Sequence, residues 1–185
     1  MAKLKDIDNK AAEKGSLLTT IWQFVKFIVV SLLAMIVQFV LLNTLQLIPA
    51  VKELYSTDFS WWVFAYPVAI GGLGYFIVSN VANIVAQIVA FFVNKEKTFN
   101  SGANIAVALP IYIAFTIGLI IFSAWLNPTL KDVFVGWNLN EAAAKNIATM
   151  ICSAVQFFLY FPVDKILFKK PKEEKAEDKA EAKAE

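Results

Sequence analysis

Histidine is absent from this chain, and so is arginine: all 17 basic residues are lysines. Without histidine the commonest general base and the commonest metal ligand are gone. A single cysteine, Cys152, lies deep in an apolar run, which excludes a disulfide framework or a thiolate metal cluster. Charge is scarce, 17% of 185 residues against 58% hydrophobic, which is too apolar for a soluble domain and fits a one-domain integral membrane protein. No Asp or Glu falls in the middle of a long apolar run. That argues against proton- and cation-coupled carriers, small four-span multidrug exporters among them, because these use an intramembrane carboxylate. A Gly-rich phosphate loop ahead of a helix, a pair of carboxylates within a span and a soluble domain for a nucleotide sugar are all missing, so neither enzyme activity nor a catalytic residue, cofactor or metal site is expected. A cleavable-signal pattern is missing too, so the first apolar run is expected to stay as a span.

The organising stretch is YFIVSNVANIVAQIVAFFVNKEKTF, Tyr75–Phe99. Its uncharged part, Tyr75 to Asn94, reaches across roughly 30 Å as a helix, the thickness of a bilayer core. Asn80, Asn83, Gln87 and Asn94 fall within an arc of about 60° on that helix. An unpartnered amide costs several kcal/mol in hydrocarbon, so this stripe must face other helices or a wet cavity.

The fold class expected is an all-α bundle of four transmembrane helices, at about 22–48, 75–94, 103–126 and 141–161, within a membrane domain spanning 21–168. Residues 1–20 read as a polar N-terminal segment able to form a short surface helix. Residues 169–185 read as a charged tail, expected to be disordered because like charges repeat every four positions. Pro49 and Pro162 are expected to close the first and fourth spans, and Asn127-Pro128 the third. Pro110 is expected to kink the third span, and Asn140 to cap the fourth. Trp61, Trp62 and Tyr66 read as an interfacial belt, and the stretch as an interfacial or partly re-entrant segment, broken at Pro67 and at Gly71, Gly72 and Gly74, that leads into the second span. Lysines cluster before span one, after span two and after span four, which predicts both termini in the cytoplasm. An offset of 69 aligns Gln87, Phe91, Phe92 and Phe99 with Gln156, Tyr160, Phe161 and Phe168, hinting at two parallel two-helix halves.

Each span also carries uncharged polar residues: Ser31 and Gln38, then the amides, then Tyr112, Thr116, Ser123 and Asn127, then Thr149, Ser153 and Gln156 with Lys145 and Tyr160. Such groups suit a neutral polyhydroxy ligand such as a sugar. Lysines at headgroup depth suit a phosphate. Interhelical amides also act as packing glue, worth ~0.6 kcal/mol each, and interfacial lysines as orientation signals. Cys152 reads as a small packing residue and Asp164-Lys165 as a surface pair.

Phe92-Val93-Asn94-Lys95-Glu96-Lys97-Thr98-Phe99 resembles the F-x-N-(R/K)-x-(W/K)-T-F signature of GtrA-like proteins, small four-span membrane proteins linked to polyprenyl-phosphate glycosyltransferases. Phe24–Ser31 is similar to that family's F-x-(R/K)-F-x-x-V-G, with Ser31 where Gly is frequent and Gln38 where an acid is frequent. Phe157-Phe158-Leu159 and Phe168 resemble its weaker second copy. The resemblance implies translocation of an undecaprenyl-phosphate-linked sugar across a bacterial cytoplasmic membrane for cell-wall or surface polysaccharide glycosylation. The alternative it leaves open is a scaffold that recruits or anchors a glycosyltransferase without transporting; a small-solute carrier is a third. The partners implied are the sugar lipid, the membrane, a glycosyltransferase and, as an option, further copies of the chain, but no nucleic acid. On this reading Lys95, Lys97, Lys26 and Lys165 hold the phosphate, while Asn80, Asn83, Gln87, Asn94, Gln38 and Gln156 line the sugar's path.

Overall fold

A computed structural model describes residues 2–169. In chain order, helix α1 (Ala2–Glu13) precedes α2 (Ser16–Leu45) and the short α3 (Pro49–Leu54). Strands β1 (Phe59–Trp61) and β2 (Phe64–Tyr66) then form a hairpin, followed by α4 (Gly72–Val93), α5 (Ile105–Gly136) and α6 (Glu141–Leu167). Helices α2, α4, α5 and α6 are each long and apolar enough to cross a membrane, so the chain is an all-α four-span bundle. The tail beyond Lys169 lies outside the described residues.

Small residues set the packing. Val78, Ala82, Ala86 and Ala90 recur every fourth position of α4 and are buried. Ala86 and Ala90 meet Val30 and Ala34 of α2 in one cluster. Alanines let two backbones approach closely where lipid supplies no hydrophobic drive. Helix α6 repeats the device with Ala144, Ala148 and Cys152, all buried, so Cys152 is a packing residue as expected. The main helix pairs are α2 with α4 and α5 with α6. The residues matched by the offset of 69 come together: Phe91, Phe99, Tyr160 and Phe168 share one buried cluster.

Several expected boundaries move. Helix α2 starts at Ser16, and α5 runs through Pro110 and Pro128 to Gly136 instead of stopping at Asn127. A proline removes one backbone donor, but packing against α6 holds the extension. Asn127 Nδ2 donates to Thr149 Oγ1 (3.0 Å), and Lys131 Nζ donates to Glu141 (3.3 Å). Likewise α6 passes Pro162 and ends at Leu167, pinned by the buried Asp164 described below. Asn140 caps α6 as expected, accepting from the Ala143 N–H.

The stretch ahead of α4 is the hairpin followed by one 3₁₀ turn, Val68–Ile70. Phe59 stacks on Phe76 at 4.3 Å, while Trp61 and Trp62 stay exposed. Gly72, at φ 54°, passes so close to the Thr57 carbonyl that a Cβ would collide with it, and Leu73 N–H donates to that same oxygen (2.8 Å). Gly72→Ala is therefore expected to cost about 2 kcal/mol or more. Gly118→Ala, facing open space within α5, should be neutral or gain up to ~1 kcal/mol. Thermal unfolding of both variants in detergent checks the pair.

Candidate functional site

The ends that gather the lysines are the start of α2, the end of α4, the start of α5 and the end of α6. Helix α4 closes there in a π-turn, Asn94–Thr98, in which the Phe99 N–H reaches back to the Asn94 carbonyl (2.9 Å). Asn94, Thr98 and Asp164 are all but fully buried, at 1%, 1% and 0% exposure. Asn94 Nδ2 donates to Asp164 Oδ2 (2.7 Å), and Thr98 Oγ1 donates to Asn94 Oδ1 (2.8 Å). Asp164 Oδ1 has no partner among the described residues. Two expectations change. Asp164 is no surface residue, because only its neighbour Lys165 faces outward. Asn94 ties α4 to α6 instead of lining a sugar path. Asp164 sits in the last turn of α6, so the middle of each long helix remains free of carboxylates.

Beside this knot lies a cavity of about 620 Å³. Its roof is α1, through Asp8, Asn9 and Ala12. One wall is the first turns of α2, from Ser16 to Lys26. The other walls are Thr98–Asn100 and, at the end of α6, Lys165, Phe168 and Lys169. Lys26 Nζ (2.8 Å) and Trp22 Nε1 (2.6 Å) both donate to one oxygen of Asp8. The Lys26 side chain is only 12% exposed. So Lys26 is drawn into the cavity rather than snorkelling outward. Lys165 Nζ donates to Thr20 Oγ1 (2.8 Å) across the space between α6 and α2.

Of the four lysines expected to hold a phosphate, the cavity brings together Lys26 and Lys165. Lys95 and Lys97 are not on its wall, and Lys97 pairs with Glu96 at 3.1 Å in the open. Below the cavity the bundle is packed with rings. Phe99 and Phe168 lie 5.6 Å apart and Phe91 and Phe168 5.0 Å, while Phe24 and Phe27 of α2 meet Phe161 of α6 at 5.0 and 5.4 Å.

The six expected path residues divide. Gln87 Oε1 accepts from the Tyr112 hydroxyl (3.0 Å), Gln156 Nε2 donates to Ser123 Oγ (2.6 Å), and Asn80 Nδ2 donates to the Phe76 carbonyl of its own helix (2.7 Å). With Tyr160 donating to Thr116 (3.1 Å) and Asn127 to Thr149, the bonds of Gln87 and Gln156 form a ladder that fastens α5 to its neighbours, while that of Asn80 stays within α4. Four of the six, Asn94 included, thus serve structure. Gln38 and Asn83 are half-buried and bond no other described residue. The register that pairs Val30 and Ala34 with Ala90 and Ala86 puts them at one level, a turn further on. Between Lys26 and Gln38, about 18 Å along α2, the inward residues Phe27, Val30 and Ala34 are all buried.

Asp8, Trp22 and Thr20 went unread as site residues because the first twenty positions look like a solvated segment. Asp164 had a signal. It continues the four-residue spacing of buried α6 positions that runs Ala144, Ala148, Cys152, then Tyr160 and Phe168. Comparison with protein-family models, with curated proteins and with solved structures finds no match to this chain.

Proposed function

We propose that this protein is a GtrA-like carrier that takes the phosphate-bearing headgroup of a polyprenyl-linked sugar into the cavity beneath α1 and passes it across the membrane. One observation carries the reading. Three lysines, an indole N–H and threonine hydroxyls line, with the Asp8 carboxylate, a half-enclosed space of about 620 Å³ at the lysine-rich end of the bundle. That volume suits a sugar phosphate, since small-molecule sites run roughly 300–1,000 Å³. Ammonium groups and N–H donors suit its phosphate, and hydroxyls and amides its sugar. By the lysine distribution this end faces the cytoplasm. The polyprenyl chain would lie against the exposed apolar faces of α2 and α6, which carry Val29, Leu32, Phe158 and Ile166.

The amides left without protein partners, Gln38 and Asn83, are the stepping point for a sugar leaving the cavity. Reaching them requires the ring layer around Phe27, Phe99 and Phe168 to part. The test is leaflet exchange of a fluorescent polyprenyl-phosphate sugar in proteoliposomes. Gln38→Leu with Asn83→Leu should slow exchange about tenfold, the effect of losing ~1.4 kcal/mol in a barrier, while headgroup binding persists. Exchange at the wild-type rate would remove these residues from the path.

That same closed ring layer favours a second reading, a scaffold that holds the sugar lipid at one face for a glycosyltransferase. In that case no variant changes exchange, and reversing the charges of Lys95 and Lys97 abolishes co-purification of the enzyme.

A further inference from the structure

We propose that Asp8 occupies the phosphate position of the cavity, and that a phosphate-bearing lipid headgroup enters by displacing it, with α1 swinging away about Gly15. This rests on the headgroup reading above and adds a lid to it.

The geometry of Asp8 is that of a ligand. A single carboxylate oxygen collects two donors, Lys26 Nζ at 2.8 Å and Trp22 Nε1 at 2.6 Å, and both belong to α2, the wall of the cavity. Neither donor has another acceptor among the described residues. Phosphate offers the same kind of anionic oxygen, and ammonium and indole N–H groups bind it as they bind a carboxylate. Lys165 stands at the same cavity, bonded among the described residues to the neutral Thr20 hydroxyl, and supplies a second cation there.

The lid is lightly held. Besides the Asp8 contacts, the polar tie from α1 to α2 among the described side chains is one hydrogen bond, Thr19 Oγ1 to the Ala11 carbonyl (3.2 Å). An open groove lined by Ile7 and Ala11 on one side and Leu18, Ile21 and Val25 on the other runs between the two helices. The two helices are joined by Gly15 at φ 107°, a conformation that suits glycine, and a Cβ there would meet open space. The joint can therefore turn without dragging packed atoms.

The experiment measures binding of a short-chain polyprenyl phosphate, and separately of inorganic phosphate, to the full chain in nanodiscs of neutral lipid, together with hydrogen exchange of the α1 amides. Asp8→Asn keeps the shape and can still accept from Trp22 while giving up the charge that competes for Lys26. It should bind the polyprenyl phosphate about two- to fivefold more tightly than wild type, the range expected when a partly exposed ion pair is removed. In wild type the lipid should strip protection from the α1 amides, and Lys26→Gln should lose both effects. Response to inorganic phosphate alone at comparable concentration would make free phosphate the ligand while leaving the lid in place. Equal affinity of Asp8→Asn and wild type, with α1 protection unchanged on binding, overturns the lid and spares the headgroup reading. Absence of binding by every form overturns the headgroup reading and the lid with it. Asp8→Ala repeats the comparison should the asparagine hold α1 down through Trp22 alone.

Discussion

Asp164→Leu is expected to lower the stability of the bundle by about 2–4 kcal/mol, and the loss should largely vanish when Asn94→Leu is added. The single change leaves the Asn94 amide buried with nothing to receive its N–H, and a stranded buried donor costs about 1–3 kcal/mol before any misfit is counted. Asn94 also holds Thr98, so the π-turn that ends α4 loosens with it. In the double variant both polar groups are gone, and two apolar side chains of the same branched shape take their places; replacing both members of a buried polar pair is often close to neutral. Asp164→Asn keeps an oxygen where Asn94 donates and should cost about 1 kcal/mol or less. Unfolding in detergent, read as a double-mutant cycle, decides the matter. If the two single losses simply add, Asp164 and Asn94 do not act as a unit and the α4–α6 knot is not what holds these helix ends together.

That knot also shows what could be read from the chain and what could not. The four helices were legible because bilayer crossing demands long uncharged runs, and composition enforces them. Proline was the least reliable guide. Pro128 and Pro162 break isolated helices, yet here a partner helix holds the backbone on both sides, and no local rule reports the partner. The amides were correctly placed inside the bundle. Which of them serve as glue, as Gln87, Gln156 and Asn94 do, depends on whether Tyr112, Ser123 or Asp164 stands opposite, and that is a property of helix register. The cavity was half legible. Lys26 and Lys165 drew notice as charges at a membrane edge, whereas the roof escaped because Ala2–Glu13 looks like a solvated helix until α2 is placed beneath it. Asp164 followed the buried four-residue spacing of α6, but a charged residue next to a lysine reads as surface unless spacing is given priority over charge.

Lys26→Gln together with Lys165→Gln is expected to weaken retention of a polyprenyl phosphate about a hundredfold or more, while Lys95→Gln together with Lys97→Gln should change it less than threefold. Both pairs remove two positive charges from the same end of the molecule, so a general electrostatic attraction to an anionic headgroup would treat them alike. The difference lies in surroundings. Lys26 is largely withdrawn from water, and Lys165, though itself exposed, lines the same half-enclosed space. Charge-assisted bonds in such settings contribute about 1.5–3 kcal/mol each. Lys97 is 59% exposed beside Glu96, where an ion pair contributes about 0–1 kcal/mol and salt screens it. Retention measured in nanodiscs at low and at physiological salt separates the contributions. The cavity pair should keep most of its effect as salt rises, and whatever the outer pair contributes should fade. Equal losses from the two pairs would mean that the lipid is gathered by the charge of the face and not received by the cavity, and the scaffold reading would then stand as the better account of this protein.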